Sequence, residues 1–241
     1  MNWVAIREIF AKDIQETIKN RYVFMSISVL PIIIIAENVL AVSQILGSPG
    51  ALDQLGQIVP LSSLIILLIP AVVTALLGAT SVVIEKNNRS LEPLLSTPIT
   101  DTELLLGKCL ASFVPAMAIS YGTFIALIAI VDAMTLNALG LALLPTLAMV
   151  YQLALVPLLG LLGTFVSLLI STRIKDVRAA QQVSTFAVLP VLAFAAIISG
   201  LFSTDPLYQV GMLVVMGVLT VVIARFTIRR FSRESILVEW S

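Results

Sequence analysis

All 14 basic residues of this chain fall into four clusters, and long apolar runs separate one cluster from the next. Arg7, Lys12, Lys19 and Arg21 precede the first run. Lys86, Arg89 and Lys108 lie between the second and third. Arg173, Lys175 and Arg178 lie between the fourth and fifth, and Arg225, Arg229, Arg230 and Arg233 follow the sixth. A helix needs roughly 20 apolar residues to cross the hydrocarbon core of a bilayer. Six runs meet that length, at about 22–42, 59–84, 109–131, 139–171, 179–200 and 207–226. In lipid the backbone must satisfy its own hydrogen bonds, so such runs are read as helices. The expected fold is all-α, a polytopic membrane protein with six transmembrane helices.

The remaining loops, near 43–58, 132–138 and 201–206, hold no Lys or Arg, and their charges are Asp53, Asp132 and Asp205. By the positive-inside rule both termini and the basic loops are expected in the cytoplasm, and the acidic loops outside. The run over 138–171 is long for one span, roughly 50 Å as a straight helix. An even number of crossings there would put Asp132 and Arg173 on the same side, so one crossing is expected, bent or broken at Pro145 and Pro157. Before the first run, Ile6, Phe10, Ile14 and Ile18 recur every four residues with Ile9 beside them, while Arg7, Glu8, Lys12, Gln15, Glu16 and Lys19 point elsewhere. This pattern predicts an amphipathic helix lying in the inner interface, started by Trp3. The alternative is a soluble helix packed on the cytoplasmic loops.

Composition narrows the chemistry. Charged residues are 12% of the chain and hydrophobic residues 59%, against about 25% charged in a soluble domain. The chain has no histidine, and Cys109 is its one cysteine. Histidine-based metal motifs and triads, thiol clusters and intrachain disulfides are thereby excluded. A cleaved signal peptide is not expected, because the first apolar run is span-length, follows a mixed-charge segment and lacks an A-x-A-like site. The formal net charge is zero, so the total says nothing about partners; no nucleic-acid partner is expected.

A polar island, Glu85 to Lys108, interrupts the apolar sequence between the second and third runs. Ser90 suits the N-cap of a short helix, with Pro93 in its first turn and Leu91, Leu94 and Leu95 as an apolar edge. Thr97-Pro98 ends that helix, because the residue before proline avoids the α region. Thr100-Asp101-Thr102-Glu103 then reads as a capping box leading into the third span. The expected shape is helix, break, helix, a stiff piece able to pass a push on the short helix to the span. A well-capped loop with no docking role is the plainer alternative.

The order of residues from Glu85 through Ser90-Leu91-Glu92, Leu94-Leu95, Thr97-Pro98-Ile99-Thr100, Glu103-Leu104-Leu105-Leu106 and Gly107-Lys108 resembles the signature segment of ABC-2 type permeases, the membrane subunits of exporters driven by a separate ATPase. Ala179-Ala180-Gln181-Gln182, then Pro190 and Ser199-Gly200, is similar to the family's fifth span and outer turn. The chain departs from the family at Arg89-Ser90, where Gly-Thr is frequent, and its first external loop is only about 15 residues, without the large extracellular domain many members carry.

The resemblance implies a type V exporter-like fold: one transmembrane domain over 1–241, with an elbow helix at 1–21, a coupling segment at 85–108 and no nucleotide-binding domain. It implies that Ser90 to Thr97, with Glu92, Leu94 and Leu95, forms a coupling helix resting in a cleft of the ATPase. Glu85 and Arg89 would pair with each other or with that partner. Arg173, Lys175 and Asp176, beside Arg178, would form a second contact; a charge cluster that only fixes topology is the alternative. The chain has no G-x-x-x-x-G-K-[ST], so ATP and Mg belong to the partner and no cofactor is expected here. Two ATPase copies and a second permease copy, identical or homologous, complete the implied assembly, in the cytoplasmic membrane of a cell.

Polar residues inside spans are the candidates for a substrate path. These are Glu37 and Asn38 in the first span, Thr74, Thr80 and Ser81 in the second, and Tyr121 and Thr123 in the third. Glu37 could instead reach the outer interface, and Ser and Thr in spans commonly bond their own helix. Gly160 and Gly163 suit close helix packing. Mostly apolar spans favour a hydrophobic or amphipathic substrate. A haem-exporter-like permease and an ion-coupled secondary carrier are the alternative readings; the carrier would want paired charges near the midplane, where only Glu37 is available. A membrane-embedded enzyme finds no support, with no G-x-S-x-G and no metal motif.

Overall fold

The structure, a computed structural model, describes residues 3–46, 50–87, 99–136, 146–201 and 206–230. Among these, helices follow one another as α1 (Trp3–Lys19), α2 (Arg21–Ile45), α3 (Ala51–Ile66), α4 (Leu68–Asn87), α5 (Asp101–Thr135), α6 (Thr146–Ser171), α7 (Val177–Leu201) and α8 (Pro206–Arg230). Local chemistry sets several starts. The Asn20 side chain accepts from the Tyr22 and Val23 amides at 3.1 and 3.4 Å and begins α2. Thr100 begins α5 with the reciprocal capping box expected of it. Asp176 Oδ1 accepts from the Arg178 amide at 2.7 Å and begins α7.

The centre of the bundle is α4. Ile69, Val73 and Leu77 join one core with Ile27 and Ile34 of α2, Leu55 and Val59 of α3, and Leu127 of α5. Ala71 joins a second core with Leu155, Leu159 and Leu162 of α6, Val188 of α7 and Met212 and Met216 of α8. Such all-round burial suits a helix rich in Ala, Val, Leu, Ile and Thr with Gly78 at a close contact. The α4–α6 seam is the tightest. A Cβ on Gly163 would sit on Thr74 Oγ1 and 2.9 Å from the Ala71 carbonyl, and Gly78 abuts Ser167. Gly160 likewise meets Met117 and Phe113 of α5. Both glycines serve close helix approach, as expected. Thr220 and Thr227 of α8 donate to the Leu158 and Phe165 carbonyls of α6. Equal steps on the two helices make them parallel.

Five helical stretches among the described residues are long and apolar enough to cross a membrane: Arg21–Ile45, Ala51–Ile84, Asp101–Thr135, Gln152–Ser171 and Gln209–Arg230. The fifth expected run, 179–200, also forms a helix, α7. The second expected run is longer than 59–84, taking in α3 from Ala51, and is interrupted at Leu67. Pro70 explains the break, because it has no N–H for the Ile66 carbonyl and its ring crowds that turn. By contrast α6 runs unbroken through Pro157; residues 137–145, including Pro145, lie outside the described residues.

The face of α1 buried against the bundle is Ile6, Ile9 and Asp13, whereas Ile18 at the end of the expected stripe is 63% exposed. The helix packs on α5 at Gly107, where a Cβ would come within 2.7 Å of Ile9 Cγ2. An absent side chain on α5 thus decides which face of α1 is buried, and the apolar period alone did not reveal it.

Candidate functional site

The described members of the basic clusters gather at one end of the bundle. Lys108 reaches α1, Arg178 lies 5.8 Å from the Tyr22 ring centre, and Thr227, just before Arg229 and Arg230, bonds the last part of α6. At this basic end α4 leads into the polar island and α5 leads out of it.

An ion pair is buried between those two helices and α1. Lys108 and Asp13 side chains are 1% and 5% exposed, with Nζ 3.4 Å from Oδ2. Lys108 also donates to Ser81 Oγ at 2.9 Å and to the Ser81 carbonyl at 3.3 Å. Ser81 in turn donates to Asp13 Oδ2 at 2.6 Å. The ammonium thus meets a carboxylate, a hydroxyl and a carbonyl, which is what a charge removed from solvent requires. Asp13 Oδ1 has no hydrogen-bond partner among the described residues. Asp13, Thr80 and Ser112 line a cavity of about 20 Å³, a volume sufficient for one water.

The first turn of α5, about two turns before Lys108, carries the capping box. The Thr100 amide donates to Glu103 Oε2 at 3.0 Å, and the Glu103 amide donates to Thr100 Oγ1 at 3.4 Å. Glu103 is buried. Between Thr100 and Lys108 the exit from the island is therefore fixed twice, by a cap and by an ion pair to α1 and α4.

A family model described as ABC-2 family transporter protein matches residues 7–207. The chain belongs to the ABC-2 family of transporters. No curated protein matches it. The matched range takes in α1 from Arg7, the triad of Asp13, Ser81 and Lys108, and the whole island. This ABC-2 protein is a multi-pass membrane transport component, an ABC transporter permease by family.

The residues expected to meet an ATPase are placed unevenly. Arg89, Ser90, Glu92, Leu94, Leu95 and Thr97 lie outside the described residues, and of Glu85 only the helical backbone of α4 is described. Arg173, Lys175 and Asp176 are exposed in the turn from α6 to α7 at the basic end. Asp176 is occupied in part by its capping bond to Arg178.

The candidates for a substrate path in the ABC-2 protein do not converge. Glu37 is exposed on the outside of α2, whereas Asn38 beside it is buried and donates to the Ile34 carbonyl of its own helix at 2.7 Å. Thr74 donates to the Pro70 carbonyl at 2.7 Å within the α4–α6 seam. Tyr121 reaches across to the Leu153 carbonyl of α6 at 3.0 Å. Thr80 and Thr123 bond the helix carbonyls of Leu77 and Ile119. Ser81 belongs to the ion-pair cluster instead.

Sequence reasoning missed that cluster. Asp13 is not among the polar positions singled out in α1, and Lys108 enters the expectations only in a basic cluster and at the end of the signature segment. A signal existed: Asp13 falls on the stripe continued from Ile6 and Ile9, and Lys108 is already inside a helix that turns apolar. Both are charges in register with buried positions.

Proposed function

We propose that this chain is the permease subunit of an exporter, coupling ATP hydrolysis by a separate ATPase to efflux of a hydrophobic or amphipathic substrate. In this reading the basic end faces the cytoplasm, α7 supplies the sixth crossing, α1 lies against the inner leaflet, and two permeases work with two ATPases. Ser90 to Thr97 is the docking helix, with Glu92 as its anchoring charge, and Arg173, Lys175 and Asp176 form the second contact.

The observation that carries the coupling role is the Asp13–Ser81–Lys108 cluster. It fastens together the helix entering the island, the helix leaving it and the N-terminal helix. A load applied to the island therefore reaches α4, α5 and α1 as one body. Because α4 is the bundle's centre, that load reaches every core. The cluster lies at the basic end rather than mid-span, which favours a mechanical role over the midplane ion site of a secondary carrier.

The test is co-purification with the ATPase and transport into inverted vesicles. Transport should stop when ATP is depleted. Glu92→Lys should abolish ATPase association while the permease still inserts. Transport that continues without ATP, in a chain purified free of any ATPase, would refute the reading.

A further inference from the structure

A groove runs between the first half of α1 and the start of α5, lined by Trp3, Ile6, Arg7, Phe10, Leu110 and Val114, with a volume of about 240 Å³. Its walls are apolar except for the Arg7 guanidinium and the Trp3 indole N–H. Trp3 is 66% exposed, and Leu110 and Val114 are also open to the surroundings. Along α5 the groove reaches two turns beyond Gly107, roughly 10 Å. Arg7 is exposed, and no hydrogen bond or ion pair holds its guanidinium among the described residues.

We propose that this groove is a binding site for an anionic phospholipid, one acyl chain lying along Leu110 and Val114 and the headgroup phosphate held by Arg7. Three features fit that occupant together. The apolar walls open sideways, on a chain that spans a membrane, so the medium meeting them is lipid. A guanidinium at the rim matches a phosphate, to which it can donate two parallel N–H bonds. Trp3, one turn before Arg7 on the same face, presents the amphipathic ring that settles at headgroup level. Another protein segment would need to bring a carboxylate to Arg7 while filling an apolar slot; a phospholipid carries both parts in one molecule. The inference depends on the membrane environment and not on the ATPase, so it stands or falls separately from the export reading.

Trp3 is itself the probe. With Trp240→Phe, Trp3 is the sole tryptophan of the full chain. The protein is reconstituted in phosphatidylcholine vesicles containing increasing fractions of dibrominated phosphatidylglycerol or dibrominated phosphatidylcholine, whose bromine atoms quench a nearby indole. Half-maximal quenching should need roughly fivefold less of the brominated phosphatidylglycerol, the factor expected of one arginine at an anionic headgroup. Arg7→Gln should bring the two lipids level, and raising salt should do so partly. Val114→Phe, which narrows the slot and leaves Arg7 in place, should weaken quenching by both. Equal quenching by the two lipids in the parent protein would overturn the proposal. So would a preference that survives Arg7→Gln, or no quenching by either, which would mean that protein covers the groove.

Discussion

Removing the ammonium of Lys108 should destabilise the protein more than removing the ammonium and its carboxylate together. The pair is 3.4 Å apart and almost wholly buried. At that separation an effective dielectric of ~20 gives an attraction of about 5 kcal/mol. The cost of stripping water from both ions offsets much of this, so the intact pair adds little net stability. Lys108→Met keeps the length of the side chain but leaves the Asp13 carboxylate buried without its cation, a cost of about 3–5 kcal/mol. In the double variant Asp13→Asn/Lys108→Met no charge remains, and the loss should shrink to about 1 kcal/mol. A thiol-reactive dye reads this directly, because Cys109 is the sole cysteine, is buried, and adjoins Lys108. In a chain of this length each kcal/mol shifts the melting temperature by about 2–4 °C. Lys108→Met should therefore melt about 10 °C below the parent in detergent, and the double variant should recover most of that. If Lys108→Met melts with the parent, or the double variant melts as low as the single, the pair is not what joins α1, α4 and α5.

Other outcomes follow from single contacts. Gly107→Val drives a side chain into Ile9 Cγ2 and toward the Ile6 carbonyl; it should undock α1 and speed maleimide labelling of Cys109 at room temperature. Gly163→Val meets the Ala71 backbone, which cannot move aside, so it should separate α4 from α6 and lower the melting temperature by more than Gly107→Val does. Thr100→Ala removes the cap of α5 and should cost about 1 kcal/mol, a fall of a few degrees in the same melt. Thr220→Val, which loses a bond to the Leu158 carbonyl on the lipid-flanked α8, should change the melt by less than Thr100→Ala.

Helices and their boundaries were legible where the signal was local. The start of α5 could be read from Thr100 and Glu103 because a capping box is complete within four residues. The basic clusters foretold one common end because charge segregation acts on the chain as a whole. What could not be read was pairwise. The face α1 buries depends on Gly107, about a hundred residues away, and the role of Lys108 depends on Asp13 and Ser81 on two other helices. Pro70 was visible, but whether a proline stops a helix or is absorbed depends on its neighbours: Pro157 is absorbed in α6, and the break near Pro70 occurs where α3 and α4 share few contacts with each other. The burial of Gln181 and Ser184 on α7 is likewise invisible locally, and Gln181 Nε2 and Ser184 Oγ have no hydrogen-bond partner among the described residues.

The interruption at Leu67 has a mechanical consequence. A continuous helix is a rod, and tilting one end swings the other. Here the backbone ladder is cut between α3, which leans on α2, and α4, which is held by α5, α6 and α7. The covalent chain still carries tension across the cut, but bending stiffness is lost there. The joint is therefore the point of this strut least resistant to bending. The half of this strut nearest the basic end can pivot with its neighbours while the far half keeps its seat on α2, so a rotation begun at Lys108 need not be repeated at Ala51.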